Sequence, residues 1–113
     1  MIPSSTRIFV CTERQDMRRS FDALAAVVQQ QLGEDPQSGA MFVFTNRRAN
    51  RLKVLWFDRN GYCILYKRLH RALFELPDGG GKQQKVKIEP RVLGQILLGV
   101  ASRRRGESSR DSA

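Results

Sequence analysis

The sequence predicts an α+β domain: a small antiparallel sheet of four to five strands, with one N-terminal and one C-terminal helix packed on it. Three observations lead there. Branched and aromatic residues recur in short runs bounded by Gly, Pro, Asn and Asp. Two longer segments, one near each end, place apolar residues on a period of about 3.6 residues. The 113 residues, 41% hydrophobic and 27% charged, amount to one globular domain.

Arg7 to Thr12 (RIFVCT) reads as the first strand from its branched and aromatic content. A helix is predicted from Asp16 to Leu32, where Met17, Phe21, Leu24, Ala25, Val28 and Leu32 share one face, Asp16 serves as N-cap and Gly33 as the stop. Glu34 to Gly39 is turn chemistry. Strands follow at Met41 to Thr45, Arg51 to Asp58 and Tyr62 to Leu69. The last two are joined at Asn60-Gly61, a pair that accepts the positive φ of a type I′ turn. Counting outward from that loop sets Lys53 opposite Arg68 and Leu55 opposite Tyr66.

A short strand is expected within Ala72 to Leu76, a flexible loop over Asp78 to Gln84 (DGGGKQQ), and a brief strand at Val86 to Glu89. Pro90 suits the first position of a final helix that buries Val92, Leu93, Ile96, Leu97 and Val100. Residues 1–100 form the expected domain. Residues 101–113, with Arg103, Arg104 and Arg105, lack an apolar anchor and read as a disordered basic tail.

Net charge is the unusual quantity. Of the total of +9, residues 1–40 contribute −1, residues 41–89 contribute +7 and residues 90–113 contribute +3. A field of one sign draws polyanions, so nucleic acid is the leading partner class, ahead of an anionic membrane surface or an acidic protein. Arg47, Arg48, Arg51, Lys53, Lys67 and Arg68 gather at one end of the predicted hairpin, with Tyr66 beside them to pack on sugar or base. The competing reading is that long cationic stems cover sheet edges and guard against aggregation. Arg18 and Arg19, next to a predicted helix N-terminus, form a second candidate phosphate site, against the alternative that both are solvated or that Arg18 reaches Asp22. Trp56 reads as a core residue.

Several classes are disfavoured. One histidine, His70, and two cysteines, Cys11 and Cys63, cannot furnish a zinc site, and both cysteines sit in apolar runs as small hydrophobes. No nucleophile motif occurs, and GGGK lacks the Ser/Thr and the strand-to-helix setting of a phosphate cradle. No enzymatic activity, cofactor or small-molecule substrate is expected. With no signal segment and no run of about 18 apolar residues, the expected location is cytoplasmic, without a membrane partner.

The motifs DMRRSFDALAAVV, EDPQSGAMFVFTNRRANRLKVLWFDRNGYCILYKRL, the pair Phe74 and Pro77, and a final helix ending in LLGV resemble the TnpB (Orf2) accessory proteins of insertion sequence 66-type bacterial transposable elements. That family is unrelated to the RNA-guided nucleases that share the TnpB name. Its pattern is matched at Asp16, Met17, Arg18, Phe21 and Asp22, at Asp35, Pro36 and Gly39, and from Phe42 to Phe44. It is matched again at Arg47, Arg48, Arg51, Lys53, Leu55, Trp56, Gly61, Lys67, Arg68 and Leu69. Ser20 and Ala23 replace usual glycines, Asn50 a usual Asp and His70 a usual Glu, and the last two changes make this copy more cationic. The resemblance implies a bacterial transposition accessory protein working beside a separate transposase. Read with the charge, it implies non-catalytic DNA binding through phosphates in DNA recombination. The alternative is a protein adaptor that docks on the transposase without touching DNA.

Overall fold

The branched runs form strands and the two periodic segments form helices, in a computed structural model that describes residues 2–101. In chain order these are β1 (Ile8–Cys11), α1 (Phe21–Gln30), β2 (Met41–Thr45), β3 (Arg51–Asp58), β4 (Gly61–Arg68), β5 (Ala72–Leu73), β6 (Lys85–Ile88), α2 (Pro90–Leu98) and β7 (Val100–Ala101). Five strands make one sheet in the order β4-β3-β2-β1-β6, and β5 pairs with β7 separately.

Strand alternation sorts the core into two layers. Phe9, Phe42, Phe44 and Leu55 pack under Leu24, Val27 and Val28 of α1, on one face of the sheet. Ile8, Val10, Val43, Leu52 and Val54 pack under Leu93 and Ile96 of α2, on the other. Trp56 belongs partly buried to this second layer, as a core reading requires. Both helices therefore cover the sheet, one on each side. No helix among the described residues is long and apolar enough to cross a membrane.

The α+β class stands, with differences in detail. β1 and β2 run parallel, because the chain between them crosses one face of the sheet through α1 and returns in the same direction. α1 starts at Phe21 after Ser20, not at Asp16. The Asp16 carboxylate instead accepts a hydrogen bond from the Arg18 backbone N–H (2.9 Å), closing a turn that competes with helix. Gly33 takes φ +66 after the helix, as its stop position requires.

The β3–β4 hairpin is slipped by two residues from its expected register. Asp58 faces Gly61, the loop is Arg59-Asn60, and positive φ falls on Arg59 (59°). A slip of two leaves every side chain on its face, so the apolar pattern cannot separate the two registers. In the observed one the Phe57 and Tyr62 rings meet edge-on at 5.1 Å. Arg51 now faces Arg68, and Lys53 faces Tyr66.

Asp78 to Lys82 is shaped by a 3-10 turn whose Asp78 carboxylate accepts from Gly80 N–H (3.0 Å), with all three glycines at positive φ. Val100 is exposed in β7, not buried in α2, because Gly99 breaks the helix at φ +75. Cys11 is buried and Cys63 half-buried, and both are free thiols. Burial pushes the Cys11 thiol pKa up. Ala101, the first residue of the expected tail at 101–113, instead pairs with Ala72 in β7, and residues 102–113 lie outside the described residues.

Candidate nucleic-acid interface

Two short connections build the site. The first, between β1 and α1, carries Arg14, Gln15, Asp16, Met17 and Arg18; the second, between β2 and β3, carries Asn46, Arg47 and Arg48. They converge on a cleft of about 500 Å³ whose wall is completed by Arg51 and Tyr66 from the hairpin. Arg18 of the first candidate pair and Arg47, Arg48, Arg51 and Tyr66 of the second cluster, read separately from the sequence, thus face one cavity.

A buried glutamine ties the first connection to the end of β2, and a half-buried asparagine closes the second on itself. Gln15 is buried; its N–H donates to the Thr45 carbonyl (2.9 Å) and its Oε1 accepts from Arg19 Nη1 (3.0 Å). Asn46 Oδ1 accepts from the backbone N–H groups of Asn50 (3.1 Å) and Arg51 (3.0 Å). Its Nδ2 donates to Asn50 Oδ1 (2.8 Å). This folds the arginine loop into a tight turn in which Ala49 adopts φ +60, presenting Arg47 and Arg48 to solvent.

The cleft holds five arginines and one aspartate. Asp16 pairs with Arg18 (Nη2 to Oδ2, 2.6 Å), whose side chain is 92% exposed. The Arg18 guanidinium, and then the Arg18 backbone N–H, hold the Asp16 pKa down at about 2. Among the described residues, Arg14, Arg47, Arg48 and Arg51 have no carboxylate within ion-pair distance. Arg51 Nη1 donates to Tyr66 Oη (2.9 Å), which fixes the phenol at the cleft wall.

The other expected residues take different places. Arg68 stands directly opposite Arg51 on β4, and like charges so placed cost up to roughly 1 kcal/mol. Arg19 sits in the connection before α1, tied to Gln15. Lys53 is buried at 6% exposure, against the expectation that it meets phosphate. Its ammonium donates to the Arg19 carbonyl (2.6 Å) and lies 4.8 Å from the Tyr66 ring centre, so it anchors the first connection to the sheet. Lys67 points to the opposite face by strand alternation and donates to the Leu97 carbonyl (2.7 Å) at the end of α2. A cation there satisfies a helix C-terminus, so Lys67→Ala should cost about 1 kcal/mol in denaturant unfolding and leave the cleft unchanged.

Arg14 was not among the expected residues, although it lies four positions before Arg18 in the same connection. Gln15 and Asn46 also escaped, since nothing in a single polar residue's letter tells that Gln15 will be buried or that Asn46 will close a turn. Among the described residues, no three or more His, Cys, Asp and Glu side chains stand together as a metal site would require.

An arginine-lined cleft on the end of a small three-layer α/β/α unit makes this a cationic module. The chain belongs to the IS66 Orf2-like protein family, whose family model matches residues 6–107. It is 38% identical over 102 residues to "Uncharacterized protein y4hO" of Sinorhizobium fredii (strain NBRC 101917 / NGR234), covering 88% of this chain and 87% of that relative. "Uncharacterized protein y4jC" of the same strain is 37% identical over 71 residues, 63% of this chain and 61% of that relative. No solved structure matches. Membership ties the chain to insertion-sequence transposition in an accessory role.

Proposed function

We propose that this protein holds DNA by its backbone phosphates in the arginine cleft, without catalysis, and so assists a separate element-encoded transposase. One observation carries the reading: Arg14 and Arg18 from one connection and Arg47, Arg48 and Arg51 from the other line a single cleft opposed by Asp16 alone. Bringing guanidiniums together costs repulsion in the free protein, and a phosphate chain removes that cost while releasing its own counterions. Phosphate contacts set position and carry no sequence information, and nothing in the cleft is a recognition helix aimed at base edges.

A salt titration of duplex retention tests this. The affinity should fall steeply with salt, and the protein alone should hold the element's terminal repeats and random duplex about equally. Discrimination should appear only when the transposase is added. Absent or salt-insensitive binding, together with nuclease-resistant co-purification with the transposase through the same arginines, would instead assign the cleft to an acidic protein patch.

Asp16 supplies a prediction of opposite sign. Asp16→Asn keeps an acceptor for the Arg18 N–H but releases the Arg18 guanidinium, so DNA affinity should rise and the salt slope should steepen by up to about 0.9. The native carboxyl should titrate with a midpoint of about 2 by NMR, moving up toward ordinary aspartate values in Arg18→Ala. Because the folded pKa is depressed, the turn's electrostatic support is in place above about 3.8 and is lost as pH falls through about 2.

A further inference from the structure

We infer that two copies of this chain join along β4, antiparallel and symmetric about Ile64. β4 is an edge of the sheet and pairs only with β3, through an unbroken register of eight residues. Among the described residues, its outward backbone groups have no partner. An open edge of that length invites another strand unless charge, proline or a bulge interrupts it. The opposite edge, β6, is guarded: it has four residues, two of them Lys85 and Lys87. From Tyr62 to Tyr66, β4 carries no charge, no proline and no bulge, and Leu65 and Tyr66 are 40% and 48% exposed.

The occupant follows from the strand's own complementarity. Turned antiparallel about Ile64, β4 sets Tyr62 against the partner's Tyr66 and Cys63 against the partner's Leu65. Lys67 meets the partner's Gly61 and Arg68 the partner's Asn60. The apolar centre pairs with itself, and each cation falls opposite a neutral residue. A parallel, in-register pairing would stack Lys67 and Arg68 on their own counterparts, which like charges oppose. Pairs of even spacing also keep the α1 faces on one side, so both arginine clefts flank one side of the joined sheet. Their tyrosines at 66 are then roughly 13 Å apart along the strands, at about 3.3 Å per residue. The pairing stands independently of the DNA reading.

The position-specific test is Leu65→Cys. It places a new thiol opposite the partner's native Cys63, within the roughly 4.5–5.5 Å separation of facing Cβ atoms. Diamide, accepting two electrons and two protons from the thiol pair, should then link two copies through a disulfide. The wild type should not link, because each Cys63 lies diagonal to its counterpart at roughly 7–8 Å, beyond disulfide reach. Leu65→Cys with Cys63→Ser should fail for the same reason, and Cys11 is buried.

Sedimentation without DNA at about 1 M salt, where the screening length is roughly 3 Å and repulsion between +9 chains is suppressed, should show the mass doubling with concentration. Cys63→Lys with Leu65→Lys, which sets lysine opposite lysine twice, should remain monomeric with an unchanged circular dichroism spectrum. A wild type that stays monomeric throughout, or Leu65→Cys that links no faster than its Cys63→Ser control, overturns the pairing whatever the DNA result.

Discussion

Replacing Arg47, Arg48 and Arg51 together by alanine is expected to reduce the slope of log affinity against log salt by roughly 2.7, at about 0.9 for each phosphate no longer neutralised. At about 0.1 M salt that is a drop of roughly 10²–10³ in duplex affinity. The fold should survive. Arg47 and Arg48 are exposed, and Arg51 gives up one bond to Tyr66 Oη, so the stability change should stay near 1 kcal/mol. Parallel filter retention and denaturant unfolding separate the two effects. A triple variant with wild-type slope would remove the loop from the interface.

The second large effect falls on stability. Lys53→Ala strips the buried donor from the Arg19 carbonyl and the cation from the Tyr66 ring. An acceptor left unpaired costs roughly 1–3 kcal/mol, and the missing stem adds a cavity. Lys53→Met restores most of the volume without the donor and should recover only part of that deficit. Neither variant should lower the salt slope, when measured well below its Tm, by the roughly 0.9 that a phosphate-contacting lysine supplies. If the slope falls with little change in stability, Lys53 meets the polyanion directly and its buried position is not the one that functions.

The layers were legible in the sequence because apolar spacing encodes them. Val54, Leu52 and Trp56 alternate with Lys53, Leu55 and Phe57, and a period of two assigns each to its face whatever the neighbouring strand does. Register is different. Asn60-Gly61 and Arg59-Asn60 both close a two-residue loop, and both keep the same faces, so pairing had to wait for the structure. The same limit hid the division of labour among the cations. Lysine and arginine letters in a row look alike, yet Lys53 turns in to anchor a loop, Lys67 turns over to finish α2, and Arg47 and Arg48 remain in solvent.

Convergence was the least legible feature. Arg18 and Arg47 are far apart in sequence; Gln15, whose burial is decided by tertiary packing, ties the first connection to the end of β2, while Asn46 closes the second connection on itself. The helix boundary failed for a local reason: the Asp16 side chain offered the Arg18 N–H an alternative to the helical bond, so α1 began five residues later and freed the arginines for the cleft.

Chemical-shift mapping of the full chain, as a short random duplex is titrated in, puts the cleft reading to its sharpest trial. Changes should concentrate at Arg14, Arg18, Arg47, Arg48, Arg51 and Tyr66, with Lys67, Lys85 and Lys87 left near their free values. Shifts spread evenly over every exposed cation, or centred on the α2 face, would contradict it.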